Sequence, residues 1–173
     1  MGKIYVAYGS NLSEEQMAYR CPSAKIIGMG LVRDWRLMFK GDLPNSYATI
    51  EEWTGYVVPV LVWELTEDDE RRLDRYEGYP ISYIKRGVEV ELQDGKKITG
   101  MVYTRPEDMC LNPPCDHYYA VLYAGYEAFG FDLAILEDAL IFSDRLTRMF
   151  SIGQGISDKF TDAAFAESDT VKI

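Results

Sequence analysis

Residues 88–104 limit the fold more than any other segment, because alternating apolar and polar side chains flank a tight-turn signal. Val88 and Val90 alternate with glutamates, which places the valines on one face of a strand. Asp94-Gly95 is typical of a two-residue hairpin turn, and a second strand-like run, ITGMVYT, follows it. The sequence therefore predicts an antiparallel hairpin with one buried face, which must pack against further elements.

The start of the chain has the pattern of a strand, a glycine-containing turn and a helix. Residues 3–8 alternate as in a strand, and Gly9-Ser10-Asn11 then interrupts the pattern with turn-forming residues. Ser13 with Gln16 three positions later has the form of a capping box. We therefore expect a helix over about 14–20, ending before the next proline.

Strands are predicted through most of the first hundred residues, and helices through the remainder. The strand-like segments are 25–40, 47–50 and 55–65, and the helical segments are about 67–76, 116–128 and 132–149. Pro59 indicates an edge or a bulge in its strand, because proline donates no hydrogen bond to a sheet. This order favours an α+β fold around a mostly antiparallel, barrel-like sheet.

Length and composition suit one folded domain. The chain has 173 residues, of which 47% are hydrophobic and 27% charged, as in ordinary globular proteins. We expect a domain over residues 1–150, followed by a tail over 151–173 whose weak periodicity predicts no conformation.

Three sequence features argue against particular classes of protein: nucleic-acid-binding proteins, membrane proteins and proteins with a disulfide framework. A net charge of −10 disfavours nucleic-acid binding, which requires clustered lysine and arginine. The start MGKIYVAYGSNL has only a short apolar stretch, so we expect a cytoplasmic protein with no membrane partner. Cys21, Cys110 and Cys115 are irregularly spaced, which predicts free thiols, although a bridge between the last two stays sterically possible.

The first candidate site is the segment Tyr8-Gly9-Ser10-Asn11-Leu12, at the junction of the first strand and helix. Consecutive backbone N–H groups in such a turn can point into one concavity and hold an anionic group without lysine or arginine. A small side chain at position 9 would let a ligand approach these amides closely. Because glycine turns between strands and helices are common, this segment alone favours a structural role.

The second candidate site is Glu77, at the predicted end of a helix that Gly78 terminates. The helix dipole disfavours a carboxylate at this end, which invites a functional explanation. An exposed, solvated glutamate would fit the same pattern equally well.

Together, these segments resemble the gamma-glutamylcyclotransferase-like family, also called AIG2-like. The similarity extends over roughly residues 4–140 and rests on YGSNL, Ala48-Thr49-Ile50, VLVWEL, LDRYEGYP, Tyr83, VEVELQDGKKITGMVY, Pro114, Tyr118, Gly125-Tyr126 and GFDLAILEDAL. The resemblance implies a small mixed, mostly antiparallel β-barrel with flanking helices. It also implies an enzyme that releases 5-oxoproline from a gamma-glutamyl amide.

The resemblance assigns roles to particular residues. Glu77 corresponds to the catalytic general acid/base of the family. The substrate-binding residues that it implies are Tyr8, Gly9, Ser10, Asn11, Leu12, Tyr83 and Tyr118.

Such a reaction suits a chain with one histidine and no recognisable metal-ligand spacing, so we expect no cofactor and no metal. The partner would be a small gamma-glutamyl substrate. The leaving group on this substrate stays open. The substrate could be glutathione, a gamma-glutamyl amino acid, a gamma-glutamylamine or a modified antibiotic intermediate. The sequence does not predict the oligomeric state.

Alternatives remain at this point. A catalytically silent module could use the YGSNL segment to bind a metabolite or a protein terminus, although a retained Glu77 disfavours this. Arg33, Arg36 and Arg86 could each pair with a substrate carboxylate, and the sequence does not select among them. His117, the single histidine, is more typical of a surface or structural residue than of a catalytic one.

Overall fold

The computed structural model describes residues 2–166, and side chains for residues 2–149. The strands are β1 (Lys3–Ala7), β2 (Lys25–Lys40), β3 (Tyr47–Leu65), β4 (Ile84–Leu92) and β5 (Lys97–Thr104). The helices are α1 (Glu14–Arg20), α2 (Glu67–Glu77), α3 (Asp116–Phe129) and α4 (Leu133–Ala166), and a 3-10 turn covers Ser10–Leu12. The fold is α+β, as predicted from the sequence.

The strands form a closed barrel in the order β1-β3-β2-β4-β5. Neighbours run antiparallel, except that β1 and β5 close the barrel in parallel through Tyr5 and Met101. At this closure Gly100 is required, because a Cβ there would lie 2.6 Å from Val6 Cγ2. The mixed, mostly antiparallel barrel with flanking helices is thereby confirmed.

The predicted hairpin is formed by β4 and β5, with Val90 opposite Ile98. Its loop has three residues, 93–95, rather than the expected two. Leu92 N–H donates to Lys96 O, and Gly95, at φ +82°, donates to Leu92 O. The residue with positive φ therefore follows a tight turn, as in hairpins with a bulge.

Pro59 lies opposite Leu31 of β2, and β1 ends its pairing with β3 at Leu61. The proline thus occupies a stretch of β3 that β1 does not reach. The missing N–H removes no bond to β1 there, which agrees with the predicted local edge.

Two helices begin and end at the predicted residues because the capping groups are local. Ser13 Oγ accepts from Gln16 N at 3.3 Å before α1. Thr66 and Asp69 form a reciprocal capping box before α2. Gly78 ends α2 with φ +68°, a left-handed conformation that favours glycine.

Helix α4 continues from Leu133 through Ala166, past the predicted end at residue 149. The tail predicted over 151–173 is therefore helical up to Ala166, and its remaining residues lie outside those described. The proposed division of the chain at residue 150 stays a prediction.

Candidate active site

An open cavity of about 440 Å³ lies where the start of the chain, the end of α2 and the first turn of α3 meet. This outer cavity shares four lining residues with an inner hollow of about 30 Å³, which has room for a group of only a few atoms. The residues that line both parts are Ser10, Glu77, Tyr83 and Tyr118. Tyr8, Gly9 and Asn11 line the inner hollow alone. The structure therefore gathers seven of the eight predicted site residues.

Glu77 is the last residue of α2, and it lines both parts of the cavity. Its Oε1 accepts a 2.8 Å hydrogen bond from Asn11 Nδ2. Burial raises the pKa of Glu77 above its ordinary range, while the Asn11 hydrogen bond and the charges of Arg20 and Arg105 oppose this rise. A carboxyl group in such a position can exchange a proton closer to neutral pH than an exposed glutamate does.

Asn11 is held from both ends of its amide. Its Oδ1 accepts from Arg20 Nη1 at 2.5 Å, and its Nδ2 also donates to Tyr5 Oη at 2.7 Å. The Arg20 guanidinium lies 3.8 Å from the ring centroid of Tyr76 and donates to the Tyr76 hydroxyl. The amide is thereby oriented with its N–H group toward Glu77.

Three tyrosine hydroxyls converge on the backbone of Ala48 in β3. The Tyr83 hydroxyl donates to Ala48 O at 3.0 Å, and the Tyr8 hydroxyl, which lies 3.4 Å from Ala48 O, donates to Tyr103 O at 2.6 Å. Tyr118 Oη accepts from Ala48 N at 3.3 Å. Burial raises the pKa of Tyr8, Tyr83 and Tyr118, so each hydroxyl stays protonated near neutral pH. They supply neutral hydrogen-bonding groups to the cavity wall.

The backbone N–H groups of Gly9, Ser10 and Asn11 donate to no other group in the described part of the chain. Gly9 has φ −119° and ψ −138°. A Cβ there would lie 3.5 Å from Tyr118 Oη. A side chain at position 9 would therefore take up cavity space, which supports the close-approach explanation.

Leu12 is the predicted site residue that does not line the cavity. Its side chain is buried in the core, and its N–H donates to Gly9 O at 2.9 Å. Leu12 packs beneath α3, where a Cβ at Gly125 would lie 2.9 Å from Leu12 Cβ. Its position indicates that it anchors the segment over 9–11.

The three arginines considered as carboxylate partners lie away from the cavity lining, and each pairs with an acid: Arg33 with Glu91, Arg36 with Asp138 and Arg86 with Glu107. Arg20 and Arg105 line the cavity instead. No local sequence signal distinguished these two, since their placement follows from the closure of the barrel.

His117 is exposed at the cavity edge, and Cys21, Cys110 and Cys115 are free. Among the side chains described, no group of three or more histidine, cysteine or acidic residues could hold a metal ion. Within the same part of the chain, no helix combines the length and apolar character needed to cross a membrane.

Comparison with known proteins agrees with this geometry. Residues 5–121 match the family described as gamma-glutamyl cyclotransferase, AIG2-like. A Bos taurus protein named gamma-glutamylcyclotransferase is 33% identical over 140 residues, covering 75% of this chain and 73% of its own. The Homo sapiens protein of that name is 31% identical over 144 residues, covering 78% and 75%.

A solved structure described as gamma-glutamyl cyclotransferase has the same fold, with a TM-score of 0.70 and 28% identity. The match covers 80% of this chain and 86% of that one. The chain belongs to the gamma-glutamyl cyclotransferase, AIG2-like family.

Proposed function

We propose that this protein is a gamma-glutamylcyclotransferase in which Glu77 transfers the protons. The observation that carries the proposal is the half-buried Glu77 carboxyl group, which accepts a hydrogen bond from Asn11 at the cavity and whose pKa is raised by desolvation. Membership of the family and relatives named gamma-glutamylcyclotransferase support the same reaction.

The substrate supplies its own nucleophile. The α-amine of a gamma-glutamyl group attacks the γ-carbonyl carbon and closes a five-membered ring, while the bond to the leaving nitrogen breaks. The products are 5-oxoproline and a free amine or amino acid, with no net consumption of water. The protein needs to orient the two groups and move protons.

Glu77 acts twice in this scheme. As the carboxylate, it accepts a proton from the substrate ammonium and makes the amine nucleophilic. As the carboxylic acid, it returns that proton to the departing nitrogen. The second proton that the attacking nitrogen loses on ring closure leaves with the product amine, which is released as its ammonium form. The hydrogen bond from Asn11 Nδ2 holds its Oε1 in place, while Oε2 is left to face the substrate.

The unpaired N–H groups of residues 9–11 suit a negatively charged group of the substrate or the oxygen of the reacting carbonyl. The hydroxyls of Tyr8, Tyr83 and Tyr118 would then fix the orientation of the gamma-glutamyl group by neutral hydrogen bonds. Both contributions position the substrate and leave proton transfer to Glu77.

The test is release of 5-oxoproline from a panel that contains glutathione, gamma-glutamyl amino acids and gamma-glutamylamines. Glu77→Gln keeps the size of the side chain and can accept the Asn11 hydrogen bond, but it is not a base. We expect turnover to fall by about 10²- to 10⁴-fold in this variant. Binding of 5-oxoproline should change little.

Glu52→Gln is the matched control, because Glu52 is an exposed glutamate on β3, outside the cavity. It should retain parental turnover. Binding of panel compounds without any 5-oxoproline release would favour the silent binding module instead. Near-parental turnover of a folded Glu77→Gln protein would show that another residue transfers the protons.

A further inference from the structure

Arg105 is a buried cation without an acidic partner. It directly follows β5, its exposed fraction is 9%, and it lines the outer cavity. No aspartate or glutamate oxygen among the described residues lies within 4.0 Å of its guanidinium, and its Nε has no hydrogen-bond acceptor.

Neighbouring elements hold this guanidinium at the cavity wall. The backbone N–H of Arg105 donates to Thr49 Oγ1 at 2.9 Å. Its Cζ lies 5.6 Å from the ring centroid of Tyr47 and 5.1 Å from that of Tyr83. On a further side, a Cβ at Gly41 would come within 3.0 Å of Nη2, so glycine leaves the space that the guanidinium fills.

An unpaired buried charge is unfavourable, and arginine side chains are buried mainly when an anion accepts their hydrogen bonds. The exposed Arg33 has Glu91 as its partner, and the buried Arg36 has Asp138. The missing acceptor at Arg105 therefore fits an anionic group that enters the cavity with a ligand.

The position of Arg105 indicates which part of the substrate that anion belongs to. Glu77 lines both the outer cavity and the inner hollow, whereas Arg105 lines only the outer cavity. With the scissile amide at Glu77 and the gamma-glutamyl group toward residues 9–11, the leaving group extends into the outer cavity past Arg105.

We propose that Arg105 binds a carboxylate on the leaving group and is the residue that selects gamma-glutamyl amino acids and peptides over gamma-glutamylamines. This assignment rests on the proposed function. The planar guanidinium can donate two parallel hydrogen bonds to one carboxylate, and the rings of Tyr47 and Tyr83 limit its movement.

The test compares gamma-glutamyl-L-alanine with gamma-glutamyl-ethylamide, which lacks only the carboxylate. For the parent we expect a higher kcat/KM with the alanine compound. Arg105→Met should lower this preference by roughly 10- to 100-fold, the effect of losing a hydrogen-bonded charge contact. Arg105→Lys keeps the positive charge but loses the two parallel N–H donors of the guanidinium. Its preference for the alanine compound should therefore be intermediate.

Arg33→Met is the matched control, because it removes an exposed arginine outside the cavity, and it should keep the parental preference. Calorimetric binding of both compounds in a Glu77→Gln background measures the same preference without turnover. Absence of 5-oxoproline release by the parent would contradict the proposed function, while the binding preference would still report on Arg105.

If Arg105→Met lowers kcat/KM equally for both compounds, the assignment is overturned, since Arg105 would then act on the gamma-glutamyl half or on folding. A parent without preference for the alanine compound would overturn it as well.

Discussion

The identity of residue 11 follows from the three groups that it contacts. Arg20 requires an acceptor, whereas the Glu77 carboxylate and the Tyr5 hydroxyl each accept a hydrogen bond from Nδ2. Aspartate could accept from Arg20 but could not donate to Glu77. An asparagine therefore connects a cation to the candidate catalytic acid while keeping that acid free of a direct ion pair.

The raised pKa of Glu77 predicts the pH dependence of turnover. A base must be ionised to accept a proton, so kcat/KM should fall as the pH is lowered through the pKa of Glu77. Because burial raises this pKa, the decline should begin at a higher pH than for an ordinary glutamate. A profile of kcat/KM against pH for the parent protein measures the pH at which this decline begins.

Arg105→Met supplies the internal control for this profile. The charge of Arg105 lowers the pKa of Glu77, so its removal should move the acidic limb to higher pH. Circular dichroism at each pH separates titration from unfolding. A kcat/KM that stays constant down to the range of an exposed glutamate would contradict the assignment of Glu77 as the base.

At the level of elements, α3 fixes the turn that carries the free amides. Gly125 lets the helix approach Leu12 closely, and Leu12 in turn anchors residues 9–11. The geometry of the amides thus depends on a helix that follows them by more than a hundred positions.

Gly125→Leu should disturb this contact, because its Cβ would already lie 2.9 Å from Leu12 Cβ. We expect a loss of about 1–3 kcal/mol in the free energy of unfolding, as is usual for overpacking. Turnover should fall as well. Chemical denaturation and 5-oxoproline release measure the two effects.

Gly87→Leu is the matched substitution, since Gly87 lies on β4 with no atom within 4 Å of its added Cβ. Gly87→Leu should reduce turnover and the free energy of unfolding less than Gly125→Leu does. Parental turnover in Gly125→Leu would mean that the position of residues 9–11 does not depend on α3.

At the level of the whole molecule, the barrel brings together residues from position 5 to position 118 around the inner hollow. These groups supply amides, neutral hydroxyls and one carboxylate, and they leave the nucleophile to the substrate. The scheme requires orientation and proton transfer, for which these groups are sufficient.

We therefore predict that 5-oxoproline release is unchanged after exhaustive treatment with EDTA. A zinc hydrolase treated in the same buffer serves as the positive control for chelation. Loss of activity that one divalent ion specifically restores would contradict the mechanism.

The features that the sequence determined by itself are local ones. The alternation in β4, the capping groups of α1 and α2, and Gly78 at the end of α2 each depend on residues a few positions apart. Glu77 could be selected for the same reason, because its place at a helix end is visible in the sequence.

The tertiary structure alone decided the contacts that give Glu77 its chemistry. Asn11 and Glu77 are 66 positions apart, and the pairing of β1 with β3 and the packing of α1 against α2 bring them together. The pairing of β5 with β1 places Arg105 at the cavity, whereas Arg33 lies outside it. Periodicity and capping carry no information about such long-range pairings, since these depend on strand register and on how α3 packs over the barrel.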